Sequence, residues 1–159
     1  MCISKNACNI STAGGRCFQY VDLKPFTEYK LSASLKLISN NSVSISGIAL
    51  LGAFDSSEQT INSGREPTNR LNISSTNMIQ LSEIEEEFKT FSVTFNSENN
   101  KNAIVGVFYD PRGVKGTLFA TDFKLEECNG DNNLIKDPCF SSGDTAWEFV
   151  ASSVAQCDN

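Results

Sequence analysis

Histidine is missing altogether, with 0 in 159 residues. That removes the commonest general base and every Ser–His or Cys–His dyad. Tryptophan appears once and tyrosine three times, so few rings are available as binding platforms. Basic residues are also scarce, 13 against 19 acidic ones; the net charge of -6 and pI near 4.6 disfavour nucleic-acid partners. No run approaches the roughly 20 apolar residues of a membrane span. The richest, "SISGIALLGAF" (Ser44–Phe54), is about half that length and carries Gly and Ser. The opening "MCISKNACNISTAGG" has no apolar signal core. No CxxC pair suggests a zinc ribbon or a redox site. "TAGGRC" reads as a turn, not a phosphate cradle, and no two carboxylates share a strand face as glycoside hydrolysis needs. The chain is therefore expected to be non-enzymatic and to need no cofactor.

What is present is β pattern. "YKLSASLKL" sets Tyr29, Leu31, Ala33, Leu35 and Leu37 on a dry face and Lys30, Ser32, Ser34 and Lys36 on a wet one. "KTFSVTF" repeats this with Phe91, Val93 and Phe95 inward. "LFATDFKLE" offers Phe119, Phe123 and Leu125 to a core, with Thr121 on their side. The clusters "SNNS", "NSENNKN" and "DPRGVKG" separate the runs as turns. Short strands without a helical period predict an all-β antiparallel sandwich. One helical turn is expected at "SEIEEEF", where Ser82 and Glu85 have capping-box spacing.

Two strands are apolar on both faces: Ile48–Phe54, and "AIVGVFY" with Ile104, Gly106 and Phe108 opposite Val105, Val107 and Tyr109. Such strands need a second cover. Either the polar segment Asp55–Ser82 lies over them or a neighbouring subunit does. Under the second option Ile48, Leu50, Phe54, Val105, Val107 and Tyr109 are interface residues. The six cysteines sit only near the ends, Cys2, Cys8 and Cys17, then Cys128, Cys139 and Cys157. This placement favours disulfides that fasten chain ends, within or between subunits, with 15 connectivities open.

"LKPFTEYKLSASLK" (Leu23–Lys36) resembles the "LKPGTTYTLSAYVK"-type strand pair of jelly-roll carbohydrate-binding modules with the galactose-binding-like fold. "EEEFKTFSVTF", "AIVGVFYD" and "LFATDFKLEE" are similar to later strands of that family, in family order. "NLIKDPCFSSGDTAW" (Asn133–Trp147) resembles the family's first strand, yet here it follows the last. The resemblance thus implies a jelly roll whose body is residues 1–127 and whose first strands are residues 128–159. Those strands complete either their own sandwich, as a circular permutation, or the next subunit's, as a head-to-tail exchange. In the exchange, Leu134, Ile135, Phe140 and Trp147 join the interface residues.

The family binds glycans on exposed rings; the outward residues of the clearest strands carry none, and the resemblance implies Tyr20, Tyr109 and Phe54 as the candidate contacts. It also carries a structural calcium, for which only Asp122 is retained; Ser141 and Thr121 stand where the resemblance implies carboxylates, and Phe26 stands where Gly is usual. The leading expectation is a self-assembling structural subunit, a disulfide-reinforced homopolymeric fibre or layer on a cell or spore surface, outside the cell. The alternative is a carbohydrate-binding module without catalysis, and a third reading is a piece of a tandem-repeat adhesin. The sequons at Asn9, Asn40 and Asn72 read as chance in an Asn-rich chain.

Overall fold

The computed structural model describes residues 6–39, 46–54, 76–112, 116–141 and 146–156. Ten strands follow in chain order: β1 (Asn6–Ile10), β2 (Arg16–Asp22), β3 (Glu28–Ser39), β4 (Ser46–Phe54), β5 (Thr76–Gln80), β6 (Lys89–Asn96), β7 (Asn102–Arg112), β8 (Gly116–Glu127), β9 (Glu148–Val150) and β10 (Ser153–Gln156). They form two five-stranded sheets, β10-β1-β8-β3-β6 and β5-β4-β7-β2-β9. Every pairing is antiparallel. The sheets close on one core, so the all-β antiparallel sandwich expected from alternation is what the chain adopts.

The alternation of β3 works as read for Tyr29, Leu31, Ala33, Leu35 and Leu37, all buried between the sheets. Its outer face meets β6 through Lys30↔Thr94, Ser32↔Ser92 and Ser34↔Thr90, a polar surface on water. Lys36 departs from the wet face: it is 5% exposed, its ammonium 4.9 Å from the Phe88 ring centre and 5.4 Å from that of Phe119.

Phe119 explains the exception and corrects the reading of β8. A bulge falls between the Ser34↔Thr121 and Ser32↔Lys124 pairs, with Asp122 at φ 55. One inserted residue reverses side-chain parity. Leu118 and Ala120 therefore face the core before the bulge and Phe123 and Leu125 after it, while Phe119 turns outward onto Lys36. Thr121 donates from its hydroxyl to the Asn6 carbonyl at 2.9 Å.

The bulge leaves backbone groups that the C-terminal segment satisfies. Phe123 N–H donates to Pro138 O at 3.2 Å. The Asn133 side-chain oxygen accepts from Leu125 N–H at 2.9 Å and Ile135 N–H at 3.0 Å, and its amide donates to Phe123 O at 3.0 Å. Asn133 thus acts as an extra strand residue, pinning the segment that resembles the family's first strand. That segment delivers Ile135, Phe140 and Trp147 into the main core. Beyond it, β9 pairs with β2 and β10 with β1, one strand to each sheet.

The helical expectation shrinks to one 3-10 turn, Leu81–Glu83. Its N-cap is Gln80 with no side-chain bond, so the Ser82–Glu85 capping box does not form. Of the earlier expectations, Cys2, Cys157, the sequons at Asn40 and Asn72, most of the "SNNS" turn and covering residues 55–75 lie outside the described residues.

Candidate functional site on the outer face of the β2–β7 sheet

Strand register fixes which residues share the outer face of β5-β4-β7-β2-β9. Opposite pairs Leu50↔Phe108, Gly52↔Gly106 and Phe54↔Ile104 join β4 to β7. Arg16↔Phe108, Phe18↔Gly106, Tyr20↔Ile104 and Asp22↔Asn102 join β7 to β2. Phe18, Leu50, Phe54, Ile104 and Phe108 form a second buried apolar cluster there, separate from the core between the sheets, with Ile48 and Val150 against it. Phe54 and Phe108 meet edge-on, centroids 4.9 Å apart. The two-faced apolarity of β4 and β7 thus has its explanation: one face fills the main core and the other builds this cluster.

At one end of β2 the face opens. Tyr20 is 54% exposed, its ring edge-on to Phe18 at 6.1 Å. It lines a cavity of about 380 Å³ with Gln19, Val21, Asp22, Asn102, Leu134 and Lys136. Gln19 builds one wall: its amide donates to Lys136 O and its carbonyl accepts from Lys136 N–H, both at 3.0 Å. A single side chain therefore continues the ladder where β9 stops, holding the Leu134–Lys136 segment beside β2. Asp22, Asn102 and Lys136 are exposed at the mouth. A ring flanked by a carboxylate, an amide and an ammonium suits a small polyhydroxylated ligand: the ring covers C–H groups and the polar atoms meet hydroxyls.

At the other end of β2, a smaller cavity of about 170 Å³ is lined by Ala13, Gly14, Arg16, Leu50, Phe108, Tyr109 and Asp110. Arg16 is buried to 1% exposure; its Nε donates to Gly14 O at 2.9 Å and its guanidinium lies 5.1 Å from the Phe108 ring centre. Phe18, 1% exposed, stands between Arg16 and Tyr20 on this face of β2.

The residues singled out from sequence divide sharply. Tyr20 is accessible; Tyr109 is 0% exposed and donates its hydroxyl to Gly116 O at 2.9 Å, which leaves its ring no face for a sugar. Val105, Val107 and Tyr109 point into the main core, together with Ile135, Phe140 and Trp147, and Leu134 packs against that core. Leu50 and Phe54 are buried in the second cluster, and Ile48 packs against it. Within the single chain most of these side chains are buried, while Ile48 and Leu134 stay partly exposed. Cys8 and Cys17 are buried free thiols, Cys128 is an exposed free thiol, and Cys139 is disulfide-bonded. Among the described residues no group of three or more His, Cys, Asp or Glu could hold a metal, Asp122 included. Asp22, Asn102, Lys136 and Arg16 escaped the sequence reading. The only signal was the parity of Arg16 and Asp22 with Tyr20 on β2 and of Asn102 with Ile104 on β7, two strands whose pairing was unknown; Lys136 lies on neither and had no such signal.

Burial pushes the Cys17 and Tyr109 protons toward higher pH. Both groups are neutral when protonated, so the native state keeps protons that the unfolded chain releases. Stability is intact below the ordinary cysteine range, about pH 8.5, and is lost as pH rises through that range and through the tyrosine range near 10. In Tyr109→Phe the loss above about pH 10 is expected to be shallower, because no buried phenol remains to hold its proton. Urea midpoints between pH 8 and 11 check this; parallel curves for both proteins would contradict it.

No family model matches the chain. No curated protein matches it either. Among solved structures 11 chains match. A structure described as "PbXyn10C CBM APO" shares 13% identity over 95% of this chain and 86% of that one, with a TM-score of 0.54. Another, described as "CBM4 structure and function", shares 12% identity over 69% of this chain with a TM-score of 0.49; the match spans 59% of that protein's length. The fold is a jelly-roll sandwich of the kind found in carbohydrate-binding modules. Among the described residues no helix is long and apolar enough to cross a membrane.

Proposed function

We propose that this chain is a non-catalytic carbohydrate-binding domain that acts outside the cell, with its site at the Tyr20 end of β2. The observation that carries the reading is the Tyr20 ring, 54% exposed, lining the same cavity as Asp22, Asn102 and Lys136. The likeness to a structure whose description names it a CBM is consistent with this. With one ring and one cavity the site takes one or two sugar units, and the affinity expected is weak. In this reading residues 1–127 form the body of the sandwich and residues 128–159 the segment that completes it within the same chain.

Titration of the labelled protein with linear neutral oligosaccharides, followed by amide NMR, tests the reading. Saturable shifts are expected at Tyr20, Asp22, Asn102 and Lys136. Tyr20→Ala is expected to weaken binding about tenfold, the value of one stacking contact of about 1.4 kcal/mol. Because Tyr20 is exposed, the fold of the variant stays intact. Absence of saturable shifts up to millimolar sugar would refute the proposal.

A self-assembling subunit would instead exchange its C-terminal segment head to tail or pair through the edge strands β5, β6, β9 and β10. Met78 on β5, Phe149 on β9 and Val154 on β10 are the exposed apolar residues these edge strands offer among the described residues. Gel filtration at high concentration separates the two readings: glycan binding needs only a monomer.

A further inference from the structure

We infer that Cys8 and Cys17 are the two halves of an intra-domain disulfide that joins the sheets of the sandwich, and that the reduced fold holds them side by side. Cys8 lies on β1 in one sheet and Cys17 on β2 in the other. Both are 0% exposed, and both belong to the core cluster between the sheets. They are inward-facing by register: Cys8 stands opposite Ala120 of β8, itself a core residue, and Cys17 stands opposite Val107 of β7. The crossover of residues 11–15 links the two strands, so Cys8, shortly before it, and Cys17, shortly after it, enter the core at the same end, and the Cys8 thiol is close enough to add to burial in holding the Cys17 proton on. Cys128, by contrast, is exposed and belongs to neither apolar cluster. A sandwich interior accommodates an inter-sheet bridge of this kind, as antibody domains illustrate.

The pairing needs a two-electron oxidant, and a small-molecule disulfide such as oxidised glutathione supplies it. One cysteine thiolate attacks a glutathione sulfur, forming a mixed disulfide and releasing one glutathione. The second thiolate then attacks the protein sulfur of that mixed disulfide, closing the bridge and releasing the second glutathione. The two protein thiols are oxidised, the glutathione disulfide is reduced, and the two protons end on the two glutathione thiols. In the folded reduced protein neither thiol touches solvent, and burial holds the Cys17 proton on. The exchange therefore belongs to the folding chain, and the environment in which folding occurs decides which form results. Once formed, the bridge removes two of the three N-terminal cysteines from any cross-link between subunits.

Refolding the full chain from denaturant with oxidised and reduced glutathione, followed by alkylation and tryptic mapping without reductant, tests the inference. Trypsin cuts after Arg16, between the two cysteines, so the bridge appears as Asn6–Arg16 joined to the peptide that starts at Cys17. The bridged form is expected to melt about 5–10 °C above the fully reduced form, as closure of so short a loop implies. In Cys8→Ala the gap between oxidised and reduced melting temperatures is expected to shrink by that amount, while Cys128→Ala leaves it unchanged. Recovery of Cys8 alkylated, or joined to any peptide other than the Cys17 one, overturns the inference. That map is read on the unmodified chain, so a variant that fails to fold does not blunt it.

Discussion

Gly106→Ala is expected to destabilise the domain by more than about 3 kcal/mol, although it adds a single methyl group. A Cβ at this position would stand 2.1 Å from the Cys17 carbonyl oxygen, 2.7 Å from Phe18 Cα and 2.8 Å from Phe18 Cβ. The first two atoms are backbone, so no rotamer change relieves the contact. Strand β2 would have to move away from β7 along a pairing that runs from Arg16↔Phe108 to Asp22↔Asn102. That displacement would open both the main core at Cys17 and the outer cluster at Phe18, and would carry β9 with it through Cys17↔Phe149. Gly130→Ala is the matched control: its nearest neighbour is Glu127 Cβ at 3.4 Å, and a change within about 0.5 kcal/mol is expected there. Urea denaturation of the two variants beside the parent protein decides the matter. Similar midpoints for Gly106→Ala and Gly130→Ala would mean that the β2–β7 approach is not tight.

The residues that made the fold legible are those whose message is local. Period-two alternation in β3 and β6 named the core face, and the two apolar faces of β4 and β7 are both buried, one in the main core and the other in the outer cluster. What alternation could not convey is the bulge at Asp122, because a parity change leaves hydrophobicity along the strand almost unaltered. Asp is a residue that tolerates the left-handed region, and that was the only clue. Phe26 is the same lesson reversed. It stands where the family resemblance implies glycine, and the backbone keeps the glycine-like conformation, φ 52, with the ring 71% exposed. Pairing between distant segments was the least legible feature. Nothing local says that β9 joins one sheet and β10 the other, or that Asp22 will stand opposite Asn102. The candidate site is made of such pairings, so the sequence offered Tyr20 and Tyr109 as equals. The second sheet buries one and leaves the other in water.

At Trp147 the second large effect is expected: Trp147→Ala should cost about 3–5 kcal/mol, a fall in melting temperature of about 10 °C. The indole is 5% exposed, with its ring centre 4.7 Å from that of Phe140 and 4.8 Å from that of Phe123. Its Nε1–H donates to Asp137 O at 2.8 Å. Phe123 belongs to β8 and Phe140 to the segment pinned on the β8 bulge, so the indole is the clasp between that segment and the sandwich. Trp147→Phe keeps most of the buried area and loses the hydrogen bond, and is expected to cost about 1–2 kcal/mol. The same pair of variants tests how the chain closes. When the segment closes on its own domain, the denaturation midpoint of parent and variants is independent of protein concentration. When the segment is exchanged between subunits, folding is coupled to association and every midpoint rises with concentration. A hundredfold concentration series is therefore expected to leave all three curves in place. A rise of the midpoints with concentration would instead assign the clasp to a neighbouring subunit.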